Sequence, residues 1–184
     1  PPASVPAGVR FVTESIVVGE DGVSRLVRTF QSANTPLGKD DRGWYMDLLK
    51  PVSNGTVKEG ERVFGQPRNE AGVLLITSGI PSGDPCDPTG SGFIYSIDAF
   101  TGAALPEQYW DTNGDGEVDG KDNVNNTTAG GIGHDNMLTD SLTLPGGDGH
   151  GGVYSGDFPA GGKGLGHKRP MAAGRIAWRE IMGD

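Results

Sequence analysis

Residues 92–102 read GFIYSIDAFTG. Phe93, Tyr95 and Ile97 alternate with Ile94, Ser96 and Asp98, the period-two pattern of a β-strand. The stretch then runs into turn chemistry. Asp98 and Thr101 can hydrogen-bond the backbone of a tight turn, and Gly102 accepts the positive φ such a turn needs. Just upstream, GVLLITSGIP (72–81) is a nearly continuous apolar run, the pattern of a strand covered on both faces.

The same signals extend outward. VRFVTESIVV (9–18) and VSRLVRTF (23–30) are rich in β-branched and aromatic residues, with GEDG between them, and predict a hairpin with a four-residue loop. GWYMDL (43–48) and ERVFGQP (61–67) predict short strands, and LKPVSNGTVKEGE (49–61) a loop between them. AGRIAWREIMG (173–183) is expected to begin as a strand. No helical stripe of convincing length occurs, so the expected fold class is all-β. A few strands of an open sheet leave unpaired edges, which more of the same chain or a partner must cover.

A second stretch carries chemistry. Residues 111–122 read DTNGDGEVDGKD: five acidic side chains and an Asn within twelve residues. Calcium takes oxygen ligands from positions 1, 3, 5, 7, 9 and 12 of a twelve-residue loop. Here these are Asp111, Asn113, Asp115, the backbone carbonyl of Glu117, Asp119 and Asp122. Gly116 stands at position 6, where the chain turns sharply, and Val118 at the apolar position 8. Position 12 is Asp where Glu is usual, a shorter arm that binds through one oxygen or requires a tighter loop. The expected cofactor is Ca2+ in an EF-hand-like loop.

Composition sets the boundaries. The 184-residue chain carries a formal charge of −9 with a pI near 4.7, which disfavours nucleic acid and anionic membrane surfaces. No apolar run is long enough to span a bilayer. The opening PPASVPAGVR lacks the pattern of a signal peptide, so the chain reads as mature, processed or excised. Cys86 is the single cysteine, which rules out an internal disulfide. Thirteen glycines fall between Gly130 and His167, and that stretch is expected to be loop-rich. GGDGHGGVY (146–154) resembles a calcium β-roll repeat but occurs once, and reads as a loop. His134, His150 and His167 are spaced too widely for an ordinary zinc site. Trp44, Trp110 and Trp178 read as packing anchors, with Trp110 holding the entrance of the acidic loop. NGT at Asn54 and NNTT at Asn125 and Asn126 match glycosylation sequons by pattern. Three regions follow: strand-rich residues 1–110, the acidic loop 111–122, and Gly-rich loops with a closing strand over 123–184.

Taken in order, GWYMDL, GERV, the run ending in IPSGDPC, GSGFIYSIDAFTG, DTNGDGEVDGKD and GRIAWREI resemble the C-terminal propeller domain of the PilC/PilY group of type IV pilus assembly and adhesion proteins. The resemblance runs from about Gly43 to Ile181. It implies a partial β-propeller, and IYSIDAFTG is also similar to the blade-closing strand and turn of quinoprotein-like propellers. A blade has about four strands, so the chain has room for only about two or three. The resemblance further implies a bacterial, extracellular or cell-surface protein without catalytic activity. Its role would lie in pilus assembly, control of pilus extension and retraction, or adhesion. It implies calcium ligands at Asp111, Asn113, Asp115, Asp119 and Asp122. The implied partners are pilins, minor pilins or the remainder of a larger pilus-associated protein. Alternatives are a filament subunit completed by strand pairing with a pilin, a dockerin-like module, for which a second loop and helices are lacking, and a quinoprotein enzyme, for which the chain is too short.

Overall fold

A computed structural model describes residues 11–30, 43–84, 86 and 89–135, and the backbone of three further strands within 141–168. The elements in chain order are β1 (Phe11–Val18), β2 (Ser24–Phe30), β3 (Lys50–Val52), β4 (Gly55–Val57), β5 (Arg62–Val63), β6 (Arg68–Glu70), β7 (Val73–Pro81) and β8 (Gly90–Asp98). A single 3-10 turn (Gly120–Asp122) follows, then β9 (Ala129–His134), β10 (Ser141–Pro145), β11 (His150–Ser155) and β12 (Leu165–Lys168). Seven strands form one antiparallel sheet in the order β1-β2-β9-β8-β7-β5, with β6 also pairing β7. Strands β10, β11 and β12 form a separate three-stranded sheet, and β3 with β4 a two-stranded ribbon. The described strands thus form one broad sheet and two small ones.

The alternation in β8 sorts its side chains as the sequence predicts. Phe93, Tyr95 and Ile97 join Phe11, Phe30 and Ile76 on one face, with Trp44, Met46 and Leu48 packed over them. Ile94 points the other way, into a cluster with Val27, Leu75, Ile132, Tyr109 and Trp110. Trp110 is fully buried there. The turn after β8 also follows its chemistry: Asp98 Oδ1 accepts from the backbone N–H of Phe100 at 2.9 Å and Thr101 at 2.8 Å, and Gly102 has φ +69°. Trp44 lies against Gly102 and donates its indole N–H to the Ala99 carbonyl.

Three expectations are corrected. The first glycines of the Gly-rich stretch form a central strand, β9, between β2 and β8. They serve as holes for aromatic rings: a Cβ on Gly131 would lie 2.4 Å from Tyr95 Cδ1, and one on Gly130 would lie 1.9 Å from Phe30 Cδ2. Glycine in a strand can mark such close approach, a reading that composition alone does not give. Residues further along the same stretch form β10, β11 and β12, where a loop-rich region is predicted. Residues 43–48 contain only an isolated bridge at Met46, while the predicted loop 49–61 holds the β3–β4 hairpin. Asn54-Gly55 is a hairpin signal in the sequence that the loop reading passed over, although the two turn residues are Ser53 and Asn54, with Gly55 opening β4 opposite Val52. The closing segment 173–183, with Trp178, lies outside the described residues.

One buried ionic group ties the sheet together. Arg28, on β2, is wholly buried, with its guanidinium 3.8 Å from the centre of the Phe93 ring. It donates to Glu14 on β1 at 2.8 Å, to Glu61 beside β5 at 2.5 Å, and to the Tyr95 hydroxyl on β8 at 2.7 Å. Glu61 also accepts from Ser78 on β7. Removing one partner of such a pair strands the other charge and costs about 3–5 kcal/mol.

If the β9 glycines are spaces for rings, filling one should overpack the core. Gly131→Ala is expected to lower unfolding stability by about 1–3 kcal/mol in urea denaturation. Gly83→Ala, where an added Cβ meets nothing within 4 Å, should change it by less than about 0.5 kcal/mol.

Candidate metal centre

The acidic loop leaves the sheet from the buried Trp110 and returns through the 3-10 turn to the buried Val124. Its shape comes from side chains bonding backbone N–H groups two to five residues on. Asp111 Oδ1 accepts from Gly114 at 2.6 Å and its Oδ2 from Gly116 at 3.1 Å. Asn113 Oδ1 accepts from Asp115, and Asp115 Oδ1 from Glu117, each at 2.9 Å. Gly114 and Gly116 take φ values of +72° and +90°, so the sharp turn at position 6 is present. The Glu117 side chain is exposed, consistent with a position that offers only its carbonyl.

Asp122 closes the loop. It is fully buried, and its Oδ1 accepts from the N–H groups of Thr112 at 2.7 Å and Asn113 at 3.0 Å. Its Oδ2 accepts from Asp119 N–H at 2.9 Å, while Asp119 Oδ1 caps Lys121 N–H at 2.7 Å. The Thr112 hydroxyl donates to the Asp122 carbonyl at 2.8 Å. The last ligand position predicted from spacing therefore serves first as a clasp between the two ends of the loop.

Two further groups brace the loop, and the spacing argument did not find them. The tip of the β1–β2 hairpin docks on it, with Glu20 N–H donating to the Asn113 carbonyl at 2.6 Å. Gly114 lies so close to Asp21 that a Cβ there would fall 2.5 Å from the Asp21 carboxyl carbon. Asp21 is itself held by both terminal nitrogens of Arg25, at 3.0 and 2.5 Å, which lowers its pKa to about 2. The acidic EDG of the hairpin turn was the available signal, but nothing local in it points to a segment about ninety residues away.

Charge is unevenly balanced in the loop. Burial raises the pKa of Asp111, with the nearby Asp122 carboxylate adding to the effect. The Glu117 N–H lowers that of Asp115. The Lys121 ammonium stands 3.5 Å from Asp115 Oδ2 and 3.7 Å from Asp119 Oδ2, in the place of a cation. Among the described residues no three His, Cys, Asp or Glu side chains converge into a group able to hold a metal. Calcium draws equally on amide and backbone carbonyl oxygens. The oxygen donor types and the turned backbone are those calcium uses, but Asp111, Asp115 and Asp119 would have to draw inward to form a site. Of the three histidines, His134 is on β9 and only the backbone is described at His150 and His167, so a histidine site falls outside the described side chains.

Comparison with known proteins places this region. A type IV pilus biogenesis factor PilY1 homolog of Xylella fastidiosa is 33% identical over 178 residues, 95% of this chain. The chain is homologous to the PilY1 proteins. PilY1 of Pseudomonas aeruginosa is 33% identical over 79 residues, 43% of the chain. The crystal structure of the P. aeruginosa PilY1 C-terminal domain superposes with a TM-score of 0.70 over 92% of the chain at 19% identity, so the antiparallel all-β fold is shared. The chain spans only 13% of the length of the Xylella relative and 33% of the solved domain. No protein-family model matches it.

The clasp and the ligands are separable. Asp122→Asn turns an amide toward backbone donors and should lower the melting temperature even in excess chelator. Asp115→Asn should leave the chelated protein close to unchanged. Thermal melts of both variants in EDTA, followed by circular dichroism, check this.

Proposed function

We propose that this chain is a calcium-binding, non-catalytic portion of a type IV pilus biogenesis protein, acting at the bacterial cell surface or outside the cell. The supporting observation is a loop with calcium-ligand spacing and turned backbone, standing within a region homologous to PilY1 factors. Asp111, Asn113, Asp115, the Glu117 carbonyl and Asp119 surround the ion. Asp122 holds the loop shut and offers its remaining Oδ2 lone pair. Calcium supplies the positive charge that lets these carboxylates approach one another. In the longer protein the seven-stranded sheet forms part of a propeller completed by the remaining polypeptide, and pilins or minor pilins are the partners. The ion then acts as a structural pin: it fixes the acidic loop and, through Asn113 and Gly114, the hairpin tip docked on it. That makes control of pilus extension, retraction or adhesion by calcium a matter of loop order, not of chemistry on a substrate.

Binding to the folded state alone stabilises it by about 2.7 kcal/mol when free ion exceeds the dissociation constant a hundredfold. The melting temperature should therefore rise with calcium and fall back with chelator. Asp111→Ala and Asp115→Ala should each abolish the rise. Identical melts of the unaltered chain in calcium and EDTA would defeat the calcium reading.

A further inference from the structure

Asparagine precedes glycine twice in the sequence, at Asn54-Gly55 and at Asn113-Gly114. Such a pair has a chemistry of its own in water. The glycine nitrogen attacks the asparagine Cγ: a C–N bond forms, the Cγ–Nδ2 bond breaks, and ammonia leaves with the proton lost from the glycine N–H. The cyclic imide then takes up water and opens to aspartate or to isoaspartate, in which the backbone runs through the side-chain carbon. Glycine, without a Cβ, hinders the attack least. Two freedoms are needed: the glycine nitrogen must be able to give up its proton, and the asparagine must be able to swing Cγ onto it.

The two sites differ sharply in these freedoms. Asn54 is an exposed turn residue between β3 and β4, and its side chain makes no hydrogen bond among the described residues. Gly55 is held through a ladder of three residue pairs, and β4 is exposed along its whole length. A two-stranded ribbon so short opens locally at small cost. Asn113 is tied at every polar group. Its N–H donates to Asp122 Oδ1 at 3.0 Å, and its carbonyl accepts from the Glu20 N–H at 2.6 Å, which fixes the backbone on both sides. Its side chain is bound twice to Asp115: Oδ1 accepts from the backbone N–H at 2.9 Å, and Nδ2 donates to Oδ2 at 3.2 Å. The Gly114 N–H donates to Asp111 Oδ1 at 2.6 Å, and a carboxylate in that place holds the proton on the nitrogen.

We propose that Asn54 is a modification site of this chain, converting in water to aspartate and isoaspartate, and that the acidic loop keeps Asn113 intact until its hydrogen bonds are broken. At Asn54 the product carries a negative charge, and the isoaspartate form adds a backbone atom to a turn whose register has room for two residues. At Asn113 the product adds a sixth acidic side chain to the five already present in residues 111–122. Both fates follow from hydrogen bonds of the polypeptide alone, so they go beyond the calcium reading and do not require the ion.

The test is to incubate the chain in EDTA at mildly alkaline pH, folded and in parallel in guanidinium chloride, and to follow the conversion of each asparagine by peptide mass spectrometry. In denaturant the two sites should convert at similar rates, since each stands between a hydroxyl residue and a glycine. In the folded chain Asn54 should still convert, and Asn113 should do so about tenfold or more slowly than Asn54. Asp111→Ala, which frees the Gly114 N–H, should raise conversion at Asn113 several-fold and leave Asn54 unchanged. Asp115→Ala, which frees the Asn113 side chain, should do the same, and circular dichroism checks that each variant is folded. Equal conversion of the two sites in the folded chain would overturn the proposal. So would an Asn54 that stays intact while the denatured chain converts, or an Asn113 that converts no faster in the folded variants.

Discussion

The buried carboxylate of Asp122 is the constraint around which the candidate site is organised. Its two oxygens take N–H groups from Thr112, Asn113 and Asp119, so one side chain fastens the entrance of the loop to its exit. Without those bonds the burial of its oxygens would be costly. With the ends joined, Asp111, Asn113 and Asp115 have backbone N–H groups of the loop itself to satisfy, and the chain turns at Gly114 and Gly116 without crossing the sheet. The shape is therefore built by the polypeptide. What the loop itself does not supply is enough positive charge: residues 111–122 hold five acidic side chains and one lysine, Lys121.

The loop is also not an isolated appendage. Trp110 anchors its start in the core, the Glu20 N–H grips the Asn113 carbonyl, and Asp21 rests on Gly114. Through these contacts the loop meets the β1–β2 hairpin, whose first strand is the outermost described strand on that side of the sheet. Arg28 anchors the same hairpin from within, reaching Glu14 on β1, Glu61 beside β5 and Tyr95 on β8. Two polar centres, one buried in the sheet and one at its border, therefore fix the hairpin at both ends.

Much of this was legible in the residues, for identifiable reasons. β1, β2, β7 and β8 announced themselves because alternation or a continuous apolar run is a local property, and the turn at Asp98 and Gly102 is local chemistry. The sharp turn at Gly116 was legible because Asp, Asn and Gly within twelve residues set it. Strand β9 was not, since what makes Gly130 and Gly131 strand residues is the size of Phe30 and Tyr95 on neighbouring strands. The β3–β4 hairpin, which turns at Ser53-Asn54 with Gly55 opposite Val52, was obscured by the polar residues around it. Asp122 as a clasp, Asp21 as a brace and Arg28 as a buried hub depend on contacts across 9 to 93 residues of chain, which no local pattern encodes.

The account stands most directly on where a divalent ion sits. Crystals of the chain grown in calcium, with anomalous difference maps, would locate it. One peak is expected, enclosed by the side-chain oxygens of Asp111, Asn113, Asp115 and Asp119, the Glu117 carbonyl and Asp122 Oδ2, with Lys121 displaced outward and Asp122 Oδ1 still bonded to Thr112 and Asn113. A map with no peak at the loop and Lys121 still lying between Asp115 and Asp119 would contradict it.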